Sequence, residues 1–421
     1  MTSAVEFKNP YRPSAGHMPP HLAGREAEQV EFDRLLGQDT ILENLVLTGL
    51  RGVGKTVLLD TFKPRATQQG WLWAGTDLSE SASVSELSMA QRLMTDLAVI
   101  TSGITVEIEA PTPVGFTQAP QATQQLSLSY AVLTAVFEQT PGLIADKIKA
   151  VLEYIWGNLR QQERHRVIFA YDEAQNLSDN AAREEYPLSV LLDVFASIQK
   201  KGIPFMLVLT GLPTLFPKLV EARTFAERMF RVVTVGKLSP EESRDAILKP
   251  IAAANCPVSF DEGSVEEITV ESSGYPYFIQ FICREVFDVF IQQIANSQIT
   301  GVPIDAIQRK LDSDFFAGRW ARVTDRQREL LWAVASLARP DDEFTIQELV
   351  SVTKQLLKKP FSPSHANQML ASLSDQGLVY KNRFGKYSFA VPLLGKFILR
   401  TYEASNQPQL PFERSVTAAP E

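Results

Sequence analysis

The stretch Gly49-Leu50-Arg51-Gly52-Val53-Gly54-Lys55-Thr56 constrains this chain more than any other part of it. It fits G-x-x-x-x-G-K-[ST] at every fixed position. An apolar run at residues 44–48 leads into it and reads as a buried strand. Residues 56–62 read as the helix that follows. A phosphate chain is held by main-chain N–H groups, and a glycine-rich loop lets the backbone come close because no Cβ stands in the way. A helix opening there adds its free amides and its dipole. Lys55 is expected to neutralise the β- and γ-phosphates, and the Thr56 hydroxyl to ligate Mg²⁺. The pattern therefore predicts ATP and Mg²⁺ as ligands. The cradle takes in Gly49, Arg51, Gly52, Val53, Gly54, Lys55, Thr56 and Val57.

A second segment completes the chemistry. Val167-Ile168-Phe169-Ala170-Tyr171 is an apolar strand that ends in Asp172 and Glu173. Two acids at the carboxyl end of a parallel strand lie where such sheets bind ligands. Asp172 would hold the metal through water, and Glu173 would polarise the attacking water. Further strands are expected at 70–76, 205–210 and 232–235, separated by helical patterns. The fold class is thus α/β, a parallel sheet covered on both faces.

The chain has 421 residues, which suggests two or three domains. Its 45% hydrophobic and 21% charged residues are those of a globular protein. Cys256 and Cys283 have no metal or disulfide spacing, and the histidines at 17, 21, 165 and 365 are scattered. No secretory signal is visible at the N-terminus. Residues 275–294 are apolar but interrupted by Arg284, Glu285 and Asp288, so no membrane association is expected and the cytoplasm is the default compartment.

Organisation follows from pattern changes. Residues 1–21, rich in proline, form an irregular arm. Residues 22–236 form the ATPase core, with an insertion or decorated helix pair at about 79–159 that includes the Pro- and Gln-rich 110–125. Ser239-Pro240-Glu241-Glu242 is a capping box with proline at the first helical position, and it opens a helical lid over 237–317. Residues 318–402 form a C-terminal module, and a polar tail at 403–421 is expected to be disordered.

Beyond the phosphate loop, several motifs resemble those of the AAA+ ATPases, in particular the origin-recognition-like and STAND-related branches. Leu22-Ala23-Gly24-Arg25-Glu26 looks like their "GRE" box, and the resemblance implies that Gly24 and Arg25 lie beside the adenine. Asp172-Glu173-Ala174-Gln175 resembles the DEAQ/DEAH form of transposition-regulator and secretion-type AAA+ proteins. Lys237-Leu238-Ser239-Pro240-Glu241-Glu242 is similar to the start of their lid. The resemblance implies a polar sensor at Thr210, where an ordinary strand-end threonine is the alternative. It implies an arginine finger at Arg228, acting on a neighbouring subunit, with Arg223 and Arg231 as rivals. Gly274-Tyr275-Pro276-Tyr277 matches the "G-x-P" lid motif, which puts Pro276 at the site. Tyr277 stands where transposition-type relatives have an arginine, which implies slow or switch-like use of ATP. A helicase reading of DEAQ fails, since two such cores would be needed and one is present.

The C-terminal module reads as three helices (324–337, 345–356, 363–376) and a hairpin (378–381 with 386–391), the order of a winged helix. Between Arg319 and Tyr402 there are thirteen Lys/Arg against seven Asp/Glu, a net +6 in a chain whose total is −8. The third helix offers Ser364, His365, Asn367, Gln368 and Ser372, and the wing carries Lys381, Arg383 and Lys386. Two functions stay open. One is an ATPase that forms an ATP-dependent homo-oligomer and contacts double-stranded DNA through this module. The other is a STAND-like signalling or defence switch, whose winged helix packs against a protein partner of unknown identity.

Overall fold

Short apolar runs bounded by polar turns become the strands of one parallel sheet. They are β1 (Asn44–Thr48), β2 (Trp71–Ala74), β5 (Arg166–Tyr171), β6 (Phe205–Gly211) and β7 (Phe230–Thr234). An antiparallel pair, β3 (Thr105–Glu109) and β4 (Thr123–Ser127), lies between β2 and β5 in the chain, and a second pair, β8 (Val379–Lys381) and β9 (Tyr387–Phe389), comes near the end. This computed structural model describes residues 7–406 apart from 15, 80, 82–83, 110–122, 161–164, 255, 296–300, 338–342 and 383–384. The chain divides into two compact units, Met1–Val302 and Pro303–Glu421.

In the first unit the strand order is β2-β5-β6-β1-β7, and every pairing is parallel. Winding runs from β1 to the far edge at β2, returns through β5 and β6, and then passes β1 to reach β7. The direction therefore reverses around β1, and a crevice opens at its carboxyl end. Alternation within the strands explains why both faces are covered. Val167, Phe169 and Tyr171 share one core with Phe205, Leu207 and Leu209, under helices Glu86–Thr101, Ile144–Leu159 and Pro187–Lys200. The intervening Ile168, Ala170, Met206 and Val208 are buried as well. Phe32 of helix Glu26–Leu36 stacks on Phe62 of helix Lys55–Gln68 at 4.1 Å.

The five strands lie close to where their apolar runs put them. The helix after the phosphate loop is longer than expected, passing Pro64 to end at Gln68. Tertiary contacts hold the extra turn: Ala66 is buried, and Arg65 reaches Asp33 and Gln29 at 2.5 Å each. The stretch expected as an insertion holds helix Glu86–Thr101, the β3–β4 hairpin, and helices Tyr130–Gln139 and Ile144–Leu159. Most of the Pro- and Gln-rich segment, 110–122, lies outside the described residues, as does the tail beyond 406. Three lid helices follow β7, at Pro240–Ala253, Glu262–Ser272 and Pro276–Ala295.

The second unit begins with helix Ile304–Leu311 and a wide helical turn at Asp312–Phe316. Its body holds helices Asp325–Ala335, Ile346–Leu356 and Pro363–Asp375 and the β8–β9 hairpin. Each helix starts on a hydroxyl cap, at Thr324, Thr345 and Ser362. Phe344 exchanges two main-chain bonds with Tyr387 and so lies alongside the hairpin. A further helix, Leu394–Asn406, buries Leu394, Phe397 and Ile398, and its Tyr402 stacks on Trp332 at 4.9 Å. That helix was not anticipated. Among the described residues, no helix is long and apolar enough to cross a membrane.

Candidate functional site

The loop between β1 and the helix starting at Lys55 has the backbone its glycines permit. Gly54 caps that helix with φ +89°, a left-handed conformation that L side chains rarely adopt. Gly49 is needed for space instead, since a Cβ there would lie 2.3 Å from the Val235 carbonyl oxygen. Lys55 Nζ donates to the carbonyl oxygens of Gly49 (3.0 Å) and Leu50 (2.9 Å). Among the described residues it has no ion pair, and burial holds its pKa below the ordinary lysine value. A partly buried cation whose bonds go to neutral carbonyls is a ready partner for an anion. The site residues therefore fit a phosphate chain.

The β5 acids converge on the same place. The Thr56 hydroxyl donates to Asp172 Oδ2 at 2.5 Å, and the Glu173 N–H donates to Asp172 Oδ1 at 2.8 Å. Burial raises the Asp172 pKa, with these two hydrogen bonds pulling the other way. Asp172 and Thr56 thus form a pair of hard oxygen donors of the kind that holds Mg²⁺ beside phosphate. Glu173 is exposed and adopts φ +51°, unusual for a residue other than glycine or asparagine, so the strand end turns sharply here. Thr210, at the end of β6, is fully buried, and its hydroxyl has no hydrogen-bond partner among the described residues.

A cavity of about 280 Å³ lies against the loop. Arg51 to Val57, Glu173, Arg25 and Pro276 line it, whereas Gly49, Asp172 and Thr210 do not. Pro276 occupies the first position of a lid helix, where its missing N–H costs nothing. The next residue ties lid to loop, because Tyr277 N–H donates to Gly52 O at 3.1 Å. Gly24 does not line the cavity. It packs against the lid's capping glutamate, where a Cβ would come 2.3 Å from Glu242 Cδ. Arg25 is only 5% exposed, and its guanidinium donates to Val53 O (3.0 Å) and Gly236 O (2.8 Å). It borders the cavity and also clamps the loop to the start of the lid.

Sequence reasoning missed the N-terminal arm. Arg12, His17 and His21 line the cavity, with Gln280 from the lid. The arm is anchored by the Asn9 amide to Arg284 O (2.9 Å) and Asp288 Oδ1 (2.8 Å), and by the Tyr11 hydroxyl to Ile247 O (2.5 Å). Arg12 N–H also donates to Gln280 Oε1 at 3.1 Å. These contacts span more than 230 residues of sequence, so no local pattern encodes them. Tyr11, buried between proline-rich flanks, is the one local sign of an anchored segment.

The three arginines after β6 separate clearly. Arg223 pairs with Asp193 at 2.7 Å and donates to Ser189 Oγ. Arg231 pairs with Glu31 at 2.7 Å. Arg228 is exposed, away from the cavity, and its side chain has no hydrogen bond or ion pair among the described residues. In the second unit, Ser364, His365, Asn367 and Gln368 are exposed on one helix, and Lys381 and Lys386 flank the hairpin turn. Two of the polar side chains already have partners. Asn367 Oδ1 accepts from the Tyr387 hydroxyl at 2.9 Å, and Ser372 Oγ accepts from Gln327 at 3.1 Å. Arg383 lies outside the described residues.

Known proteins share parts of this sequence and its fold. Residues 43–219 match the family described as AAA domain, and residues 313–398 match a domain of unknown function, DUF8462. No curated protein matches the chain. The fold is similar to the Walker-type ATPase paby2304 of Pyrococcus abyssi, with TM-score 0.56 and 14% identity, covering 94% of this chain and 99% of that one. It is similar also to the ORC2 protein of Aeropyrum pernix in its ADP form, with TM-score 0.54 and 14% identity over 93% and 97% of the two chains.

Proposed function

We propose that this chain, an AAA+ P-loop ATPase whose AAA domain spans residues 43–219, is a nucleotide-controlled switch that self-associates with ATP bound and contacts double-stranded DNA through its C-terminal unit. The observation that carries the reading is that Lys55, Thr56 and Glu173 line one cavity, walled by the phosphate loop, the lid and the arm, with Asp172 hydrogen-bonded to Thr56. The loop amides and the Lys55 ammonium bind the phosphates. Thr56 and Asp172 would hold Mg²⁺, which when bound neutralises charge on the phosphoryl oxygens. Glu173 orients the attacking water and accepts its proton. The Thr210 hydroxyl, otherwise unpartnered among the described residues, serves as the polar sensor at the end of β6.

Arg228 acts in a neighbouring subunit. Its exposure and its lack of a partner among the described residues favour it over Arg223 and Arg231, which are occupied within the chain. Tyr277 stands where transposition-type relatives have an arginine, and it meets the loop through its main chain, in keeping with slow turnover. The DNA half rests on the +6 balance of residues 319–402 and on the exposed Gln368, Lys381 and Lys386. The free thiols Cys256 and Cys283 fit a reducing compartment such as the cytoplasm.

A second reading makes the C-terminal unit a packing or protein-interaction module. The engagement of Asn367 by Tyr387 favours it, since that side chain is then not free to read a base. Gel filtration with and without ATP, each with and without duplex DNA, decides. A shift to larger size with ATP and co-elution with DNA supports the first reading. Assembly without any DNA association at low salt selects the second, and a monomer under all conditions overturns the switch.

A further inference from the structure

The third residue after Asp172 is Gln175. The Gln175 side chain lies between two parts of the site. Its Nε2 donates to Glu173 Oε2, and its Oε1 accepts from the Leu212 N–H at 3.1 Å, two residues beyond Thr210. Its main-chain carbonyl accepts from Lys218 Nζ at 2.8 Å, on helix Leu215–Ala222. Gly211 makes room for the amide, because a Cβ there would come 2.5 Å from Gln175 Oε1. Glu173 lines the cavity with this bond in place.

We propose that Gln175 is a positioning residue that fixes the Glu173 carboxylate by spanning it to the end of β6. The proposal rests on Glu173 being the water-activating base. A glutamate on an exposed, left-handed strand end has several rotamers open to it, and one amide bond selects among them. The same amide is bonded to the main chain beside Thr210, so the base and the buried hydroxyl keep a fixed relation.

The test is a double-mutant cycle on the full chain, with ATP hydrolysis and ATP affinity both measured. Gln175→Ala should lower kcat roughly 10- to 100-fold, the scale on which misplaced groups act, with ATP affinity and KM unchanged. Gly211→Ala should give a similar loss by displacing the amide. The double variant should be no slower than the slower single variant, because both remove one bond. Additive losses, a kcat unchanged in Gln175→Ala, or a collapse of ATP affinity along with kcat would each overturn the proposal. Glu173→Gln measured in parallel separates the two claims. If that variant hydrolyses ATP like the wild type, the base assignment fails first. If it is slow while Gln175→Ala is normal, only the positioning role fails.

Discussion

The nucleotide site and the C-terminal unit are specified in different ways. In the first unit, function depends on particular atoms: a glycine at φ +89°, an ammonium on neutral carbonyls, a hydroxyl on a carboxylate at 2.5 Å. Few residue types satisfy such demands, so the site is written in fixed spacings. The second unit depends on apolar period and hydroxyl caps, which many sequences satisfy. A chemical role is therefore legible in the first unit and only a folding pattern in the second.

The sharpest way to break that contrast is to change single side chains in the first unit. Glu173→Gln should bind ATP yet hydrolyse it roughly 10²–10⁴ times more slowly, since only the base is lost. Lys55→Ala should weaken ATP binding by about a hundred-fold, or ~2.7 kcal/mol, with the thermal transition retained. Unchanged affinity by calorimetry would remove the basis for the whole site.

Arg228 extends the comparison to the proposed action of one subunit on its neighbour's site. Arg228→Ala should bind ATP normally but fail to turn it over. Mixing it with Glu173→Gln should restore part of the activity, because some interfaces regain both groups. No recovery in a mixed assembly would assign the arginine to its own chain.

The smallest effects belong to the second unit. Replacing Lys381, Arg383 and Lys386 by Ala should weaken DNA binding about equally across sequences, lowering the slope of log K against log salt by about 0.9 per lost phosphate contact. Gln368→Ala should instead alter sequence preference. Asn367→Ala is a poorer probe, because it strips the Tyr387 hydroxyl of its acceptor and so costs about 1 kcal/mol of stability as well. If the lysine and arginine changes abolish assembly and leave DNA affinity untouched, the second unit is a packing element.

These contrasts also explain what could be read from the sequence. The strands were legible because an apolar run between polar turns has few other fates, and the loop and the β5 acids because their chemistry needs fixed neighbours. Arg25 was expected beside the base. Its clamp on Val53 and Gly236 depends on chain segments 28 and 211 residues away, which no local pattern reports. The described residues of the arm form no helix or strand, and their place at the cavity comes from Asn9 and Tyr11 reaching the lid. The last helix, Leu394–Asn406, went unnoticed because its buried Leu394, Phe397 and Ile398 directly follow the hairpin, with only short turn residues between.

The bond from Tyr277 N–H to Gly52 O has a consequence of its own. Both partners are main-chain atoms, so the linkage between lid and loop does not depend on which side chain stands at 277. Tyr277 can therefore drift among residue types without uncoupling the two segments, and its ring is free to be selected for other reasons. Only an imino acid at 277, which has no N–H to give, would cut the connection and leave the rest of the lid helix intact.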